Sequence, residues 1–328
     1  MPYGQVLVDT VKDSLNNVLA PASAVFRNRI INGAMVIDQR NAGASVTPVD
    51  AQFLTDRFIY NSTQSSKVTA QQNQGSVTPP VGFANYLGIT SSSAYSVIAS
   101  DFFTIGQRIE GFNTYDLAWG TASAKSVVLS FQVYSSLTGT FGGSIVNSGF
   151  SRSYPFTYSI PTANTWTTIS IAIAGDTSGT WVGATNGVGM RLVIGLGVGS
   201  TYSGTAGAWS TNNYLSATGA TSVVGTSGAT FYITGVQLEV GTNATSFDYR
   251  PYGTELQLCQ RYYEVGAFVI YTSSGNTTSL WWYKAEKRTT PTIAGGGAGF
   301  TAQVNRTAVL QCYQTSVADQ TLTSSAEL

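Results

Sequence analysis

Tryptophans and a few carboxylates are the side chains of this sequence that could support binding or catalysis. The tryptophans are Trp119, Trp166, Trp181, Trp209, Trp281 and Trp282. An exposed indole can stack on the apolar face of a sugar while nearby amides and hydroxyls bind its polar groups. Trp181 and Trp209 lie in the loop-like segments GTWVGATNG and GTAGAWSTNN, and Tyr202 shares this setting. We predict carbohydrate binding at Trp181, Trp209 and Tyr202; the alternative for each is packing against a strand.

Paired carboxylates can hydrolyse a glycosidic bond without help from histidine. The conceivable members of such a pair are Glu110, Asp116, Asp176 and Glu239. No two of them have a sequence context that is diagnostic of an acid and base, and Glu239 in TGVQLEVG is equally interpreted as a strand-end residue bound to backbone or arginine. We therefore predict no catalytic residue and no enzymatic activity.

Histidine is absent from the sequence. This absence removes the usual general base, the usual partner of a serine or cysteine nucleophile, and the commonest zinc ligand. The only cysteines, Cys259 and Cys312, are far apart, which predicts buried or half-buried free thiols rather than a disulfide scaffold. The turn GDTSG at 175–179 offers oxygens for Ca²⁺ but lacks EF-hand spacing. We predict neither a metal nor a cofactor.

The composition is typical of an all-β protein. Its 35 glycines suit tight turns, and its many branched residues suit a pleated sheet. The 16 basic and 16 acidic residues balance, so no basic surface for nucleic acid is expected. No apolar run is long enough to span a bilayer, and MPYGQVLVDTVKD does not resemble a signal peptide. We expect a protein made and kept in a cytosol unless it leaves within a larger assembly.

Alternating apolar residues predict half-buried antiparallel strands over 127–133, 169–173 and 190–198. A further strand over 230–240 is apolar on both faces before Gly235 and on one face after it, which predicts a bulge at that glycine. Further strand candidates lie near 35–38, 66–72, 81–90, 105–112 and 154–160. The spacing of these strands favours a two-sheet jelly roll.

The chain divides into three predicted regions. Residues 1–30 lack any sustained period and are predicted to be an N-terminal arm, either solvated or docked on a partner, with Arg27 and Arg29 at its end. Residues 31–250 form the predicted jelly roll. Pro251 and Gly253 are expected to end the strand, and Thr254–Gln257 has the form of a capping box, which predicts a helix over 255–264. Residues 251–328 thus comprise a short helix and a small C-terminal β domain.

Several short motifs, in this order along the chain, resemble those of phage and prophage virion proteins of the tail-fibre type. They are Asn28–Gly33, Ile37–Arg40, Trp119–Ala122, Leu129–Phe131, Gly235–Glu239, Glu255-Leu256 and Cys259–Tyr263, with weaker counterparts at Lys287–Thr292 and Ala326–Leu328. The resemblance spans roughly residues 28–264. It implies a jelly roll similar to carbohydrate-binding modules, displayed on an N-terminal attachment arm that contacts other virion proteins, commonly in a homotrimer.

The resemblance implies a virion location after assembly in the host cytoplasm, but not a position on the head or the tail. The leading hypothesis is a tail fibre or adhesin that contacts host surface glycan. The alternatives are a head fibre or decoration protein on the capsid and, third, a tail depolymerase that hydrolyses glycosides. The family supplies no defined set of sugar-binding residues that could be transferred to this chain.

Overall fold

A computed structural model shows a large β-sandwich followed by a helix and a smaller β-unit. It describes residues 11–12, 18–19, 26–270, 277–295, 301–314 and 318–328. The strands up to the helix are β1 (Val11–Lys12), β2 (Val18–Leu19), β3 (Gln52–Phe53), β4 (Ile59–Ser62), β5 (Val68–Gln72), β6 (Leu87–Ser91), β7 (Phe102–Glu110), β8 (Val127–Ser135), β9 (Gly139–Asn147), β10 (Ser153–Ile160), β11 (Thr167–Ile173), β12 (Val188–Val198), β13 (Ser203–Gly204), β14 (Ser216–Ala217) and β15 (Thr230–Val240).

Helix α1 (Tyr252–Gln260) connects the sandwich to the C-terminal β-unit. The strands of that unit are β16 (Tyr263–Ile270), β17 (Thr277–Trp282), β18 (Thr292–Gly295), β19 (Thr301–Asn305), β20 (Val309–Gln314) and β21 (Ala318–Ser325). Short 3-10 turns occur at Gln74–Ser76, Gly111–Asn113, Tyr115–Leu117 and Ser200–Tyr202. None of the helices in the described part of the chain has the length and apolar character needed to span a bilayer.

The two large sheets stack face to face around the main apolar core. One sheet has the strand order β10-β9-β12-β7-β4-β3, and the other has the order β11-β8-β15-β6-β5. Neighbouring strands within both sheets are antiparallel. Alternate residues of each strand enter the core, as Leu129, Phe131 and Val133 do on β8. The all-β jelly-roll sandwich predicted from the sequence is therefore confirmed.

The predicted bulge at Gly235 is also confirmed. The register between β15 and β8 shifts between Thr234 and Gln237, and Gly235 has a φ of 62°. A Cβ atom placed on Gly235 would lie 2.6 Å from Cζ of Phe83. Glycine is needed at this position because the backbone conformation is left-handed and an aromatic ring covers the space that a side chain would fill.

The predicted strand near 35–38 is wrong, because a buried asparagine side chain replaces the ladder bonds. Asn32 accepts a hydrogen bond from the main-chain N–H of Ile37 at 2.9 Å and donates to the Ile37 carbonyl at 2.8 Å. Asn32 also donates to the carbonyl of Asp56 at 2.9 Å. These local bonds hold residues 32–37 in an irregular loop outside the sheets.

The predicted capping box is wrong as well, because α1 begins earlier than expected. Its N-cap is Pro251, without a side-chain capping bond, so Thr254 lies inside the helix. Glu255 instead accepts a hydrogen bond from the main-chain N–H of Asn32 and forms an ion pair with Arg250 at 3.3 Å. Through Glu255, helix α1 therefore contacts both Asn32 at the start of the sandwich and Arg250 after its last strand.

A second polar contact joins the sandwich to the residues that follow the last strand of the chain. Glu327 forms ion pairs with Arg40 at 2.8 Å and with Arg57, whose side chain is only 1% exposed. The guanidinium carbon of Arg57 lies 3.5 Å from the ring centre of Tyr262, just after α1. Lys287 and Glu264 form a fully buried ion pair at 2.9 Å within the C-terminal unit.

The end of the predicted arm is fixed to the sandwich. Asn28 is buried, donates to the Val236 carbonyl at 3.0 Å and accepts from the main-chain N–H of Leu238 at 3.1 Å. Arg29 forms a two-pronged ion pair with Asp116. The remainder of the arm prediction, residues 1–30, falls largely outside the described residues and stays a prediction, as do the domain boundaries at residues 30 and 250.

Candidate functional site

Three tryptophans from distant parts of the sequence meet at one end of the sandwich. The ring centres of Trp119 and Trp181 are 4.8 Å apart, those of Trp119 and Trp209 are 5.2 Å apart, and those of Trp181 and Trp209 are 5.5 Å apart. All three pairs are edge-to-face, which is a favourable arrangement of aromatic quadrupoles. Trp119 is buried, whereas Trp181 and Trp209 are half-buried and have surface available to a ligand.

Trp119 is the inner member and is positioned by the turns that precede β8. Its indole N–H donates to the Lys125 carbonyl at 2.7 Å. Gly120 has a φ of 87°, and a Cβ there would lie 2.8 Å from the Gly179 carbonyl oxygen and 3.2 Å from the Trp181 ring. The main-chain N–H of Gly120 also donates to the Asp176 carbonyl at 2.7 Å. The absence of a side chain at Gly120 therefore lets the loop before β8 approach the loop before β12.

A buried ion pair between Arg152 and Asp176 contacts the Trp181 indole. Arg152 donates to both carboxylate oxygens of Asp176, from Nε at 2.7 Å and from Nη2 at 2.6 Å. Asp176 also accepts from the main-chain N–H of Ser178 at 3.1 Å and from the Trp181 indole at 3.2 Å. The Asp176 carboxylate raises the pKa of Arg152 above its usual value, because it stabilises the charged guanidinium. This network fixes the orientation of the Trp181 ring.

A cleft of about 170 Å³ opens between Trp181 and the exposed ring of Tyr115. Thr114 and Thr121 line it with hydroxyl-bearing side chains, and Gly183 leaves main chain exposed at its edge. Aromatic walls beside hydroxyl and main-chain groups can bind a ring that is apolar on its faces and polar at its rim. The cleft can therefore bind a small polyhydroxylated ring by stacking and hydrogen bonds.

The three predicted site residues are not brought together as one set. Trp209 adjoins Trp181, donates its indole N–H to the Ala174 carbonyl at 2.8 Å, and packs on Tyr154 at 5.2 Å. It supports the cleft but does not line it. Tyr202 lies elsewhere, in a small apolar cluster with Phe102 at 5.3 Å on the outer face of the six-stranded sheet. A role for any of the three in ligand binding stays a prediction.

Tyr115 was not predicted from the sequence, although it lines the cleft and is 57% exposed. It lies on a one-turn 3-10 helix four positions before Trp119. The only local signal was an aromatic residue in a polar, glycine-containing segment, and many such residues pack inside a fold. Tyr115 and Trp181 line the same cleft only because two loops that are distant in sequence come together, which the sequence does not reveal.

The four carboxylates considered for glycoside hydrolysis all have structural partners. Each of them accepts hydrogen bonds from neighbouring side chains, namely Glu110 from Arg261, Asp116 from Arg29, Asp176 from Arg152, and Glu239 from Gln237 and Thr245. A carboxylate whose oxygens already accept hydrogen bonds from neighbouring side chains is poorly placed to bind a substrate. The interpretation of Glu239 as a strand-end residue bound to its neighbours is confirmed.

Within the described residues, no group of three or more acidic or cysteine side chains is placed to hold a metal ion. The GDTSG turn that offered oxygens for Ca²⁺ contains Asp176, whose two carboxylate oxygens bind Arg152 instead. Cys259 is a free, buried thiol. Burial raises the pKa of that thiol well above its usual value, so it is an unreactive core residue. The side chain of Cys312 lies outside the described part of the chain.

Comparison with models of protein families finds no match, and comparison with curated proteins finds none either. Among solved structures, the chain is similar to the enzymatically active domain of tailspike protein 4 of bacteriophage CBA120, with 12% identity and a TM-score of 0.35 over 66% of this chain. That similarity covers only 22% of the tailspike chain.

The chain is also similar to a protein of Bacteroides thetaiotaomicron described as sugar-binding, with 14% identity and a TM-score of 0.37 over 65% of this chain and 100% of the other. The family 11 carbohydrate-binding module of Clostridium thermocellum has 12% identity and a TM-score of 0.31 over 61% of this chain and 97% of the other. Because these scores are low, the assignment of a jelly roll rests on the strand order and register described above.

Proposed function

We propose that this protein is a non-enzymatic structural protein of a bacteriophage virion, a tail fibre or adhesin that contacts glycan on the host surface. The cleft between Trp181 and Tyr115 carries the glycan-binding part of the proposal. The motifs that resemble tail-fibre proteins support the virion part, and most of them lie in the jelly-roll sandwich, as the resemblance implies.

The size of the cleft favours a single sugar ring. Its volume of about 170 Å³ corresponds to roughly five or six water molecules at about 30 Å³ each. The Trp181 ring is held by its own hydrogen bond and by two neighbouring indoles, so little side-chain entropy is lost when a ligand stacks on it. Tyr115 is exposed and lines the same cleft.

A single shallow cleft of this kind gives weak binding, which fits an attachment role. Millimolar affinity corresponds to only about 4 kcal/mol. A homotrimer on a virion presents several copies at once, and linked sites bind far more tightly than isolated ones. Attachment through the N-terminal arm, residues 1–30, to another virion protein would supply this arrangement.

The state of the carboxylates favours binding over hydrolysis. Glu110, Asp116 and Asp176 are each neutralised by an arginine. A glycosidase needs one carboxyl with a raised pKa as acid and a second as base or nucleophile. The engagement of these groups in ion pairs supports the proposal that the protein does not hydrolyse its glycan.

Binding of the labelled protein to host cells tests the proposal. We expect Tyr115→Ala and Trp181→Ala to weaken binding by roughly fivefold to tenfold, since one aromatic contact contributes about 1 kcal/mol. Trp282→Ala is the matched control, because that indole is 65% exposed on β17, in the C-terminal unit. Equal binding by wild type and both cleft variants would contradict the proposed site.

Virions that lack the protein test the location. An adhesin of the tail is required for adsorption, so these virions should adsorb poorly. Normal adsorption together with the loss of a feature from the head would instead identify a head fibre or decoration protein, and release of oligosaccharides from host polysaccharide would identify a depolymerase.

A further inference from the structure

The most deeply buried part of the Trp181 cleft is apolar. Met190 and Trp119 line the cleft although only 1% and 7% of their surfaces are exposed. Ala118 and Val182 are half-buried members of the same lining. We call these four residues the inner cleft. A ligand group that reaches the inner cleft meets mainly methyl, thioether and ring carbon atoms, so an apolar group is favoured there.

Two turns position Ala118 and Val182. Ala118 follows the 3-10 helix Tyr115–Leu117 with a φ of 53°, and its main-chain N–H donates to the Tyr115 carbonyl at 3.1 Å. Glycine adopts this left-handed conformation more easily, but alanine adds a methyl group to the cleft. A Cβ placed on Gly111 would lie 2.9 Å from Cγ1 of Val182. The valine side chain therefore packs directly on the main chain that follows β7.

The hydrogen-bond donors around the inner cleft are already used within the protein. The indole N–H groups of Trp119 and Trp181 donate to a main-chain carbonyl at 2.7 Å and to a carboxylate at 3.2 Å. The hydroxyl of the buried Thr114 donates to the carbonyls of Glu110 and Gly111, at 3.4 Å each. A sugar hydroxyl placed in the inner cleft would lose its water without gaining a strong partner, which is unfavourable.

The described residues that line the cleft are all uncharged. Asp176 accepts a hydrogen bond from the Trp181 indole, but it is paired with Arg152. Asp116 directly follows Tyr115 in the chain and is paired with Arg29. A charged sugar would therefore give up water in the cleft without an opposite charge to bind it. This lining favours neutral ligands.

We infer that the cleft binds a neutral sugar ring that carries a methyl group, and that this methyl group lies in the inner cleft. The methyl group belongs either to C6 of a 6-deoxyhexose or to an acetamido substituent. The ring stacks on Trp181, and its hydroxyls face Thr121, the exposed main chain of Gly183 and water.

The identity of the ligand as a glycan rests on the proposed function. The inference specifies that function further, because it selects methyl-bearing neutral sugars over plain hexoses and over uronates. Burial of one methyl group strengthens binding about fourfold. A plain hexose would in addition place a hydroxyl in the inner cleft, so the preference should be at least of this size.

Saturation-transfer NMR on the full-length protein tests the inference with matched sugars. The galacto series comprises D-galactose, 6-deoxy-D-galactose, N-acetyl-D-galactosamine and D-galacturonate, and the gluco and manno series carry the same substituents. In at least one series, we expect a methyl-bearing sugar to bind at least about fourfold more tightly than the plain hexose and the uronate. Its methyl protons should receive the strongest saturation. The tighter of the two methyl-bearing sugars identifies which methyl group is bound.

Variants of the inner cleft test the position of the methyl group. Val182→Thr replaces one methyl group by a hydroxyl of similar shape, and Ala118→Gly removes another in a conformation that glycine tolerates. Each should reduce the preference for the methyl-bearing sugar to about twofold or less. Val304→Thr is the matched control, because that valine is 36% exposed on β19 in the C-terminal unit. Thermal unfolding confirms that each variant is folded.

Equal binding of plain and methyl-bearing sugars in all three series would overturn the inference and leave the proposed function intact. Tighter binding of a uronate would overturn it too, and so would an unchanged preference in both Val182→Thr and Ala118→Gly. If none of the sugars binds, the inference is wrong. The host-cell test with Tyr115→Ala and Trp181→Ala then decides separately whether the proposed function fails with it.

Discussion

Removal of the Asp176 carboxylate should destabilise the sandwich more than removal of an exposed one. Asp176 is 2% exposed and Arg152 is 12% exposed in their side chains. Asp176→Ala leaves the guanidinium of Arg152 buried without its two short hydrogen bonds. Breaking a buried ion pair by removing one partner costs about 3–5 kcal/mol in free energy of unfolding.

Urea denaturation followed by tryptophan fluorescence and circular dichroism measures this cost. The indole of Trp181 loses an acceptor in the variant, so fluorescence reports on the affected region. Asp116→Ala is the matched control: it breaks an equally two-pronged pair with Arg29 whose side chains are 21% and 35% exposed. A surface pair of that kind contributes at most about 1 kcal/mol.

A double-mutant cycle separates the unpaired charge from the loss of packing. Arg152→Met keeps most of the apolar stem, and in combination with Asp176→Ala it leaves no buried charge. The double variant should lose less stability than the two single variants added together, with a coupling of about 2 kcal/mol. The reasoning is refuted if Asp176→Ala costs no more than Asp116→Ala, or if the coupling is near zero.

Three further predictions concern the fold that positions the cleft, all measured by urea denaturation. Gly235→Ala should lower the free energy of unfolding by about 1–2 kcal/mol, because φ is 62° at that position. Gly253→Ala in α1 is the control: a Cβ there meets no neighbouring atom, so the free energy of unfolding should stay the same or rise. Glu327→Gln should cost about 3 kcal/mol because Arg57 is buried; a loss below about 1 kcal/mol would contradict this. Burial raises the pKa of Asp56 from 3.8 to about 6, because the folded protein favours the protonated carboxyl. The stabilisation that this gives is complete below about pH 4 and is lost as the pH rises through about 6. From about pH 5 to about pH 7.5, the free energy of unfolding of the wild type should therefore fall by about 1.4 kcal/mol more than that of Asp56→Asn. Equal falls in the two proteins would contradict the raised pKa.

The strands of the sandwich were predictable because their signal is local. In β8 and β12 the apolar residues alternate, and the same alternation places them in the core. Residues 32–37 show where local propensity fails. Ile37 belongs to an apolar stretch that looks like a strand, but the buried side chain of Asn32 binds its main chain and replaces the ladder. Propensity does not reveal such side-chain bonds.

The candidate cleft was only half predictable, because its walls meet through non-local contacts. Trp181 stood out as a large aromatic residue in a polar loop, and the structure places it at the cleft. Tyr115 stood in an equally polar loop, yet nothing in its neighbourhood indicated that it lines the cleft together with Trp181. Tyr202 had the same local features as Trp181, but it packs on Phe102 because the turn at Ser200–Tyr202 lies against the outer sheet face. Identical local signals therefore led to different positions.

Most of the motifs that resemble tail-fibre proteins form the polar junction of the fold rather than the cleft. Asn28 binds the bulged strand, Asn32 binds α1 through Glu255, and Arg40 binds Glu327 near the end of the chain. Of these motifs, Trp119–Ala122 also reaches the cleft. The resemblance therefore concerns the scaffold: changes in Tyr115, Trp181 or the loops that hold them can alter the lining of the cleft without disturbing the junction. The proposed attachment role would benefit from this separation, because binding loops could change in sequence while the residues that hold the fold stay the same.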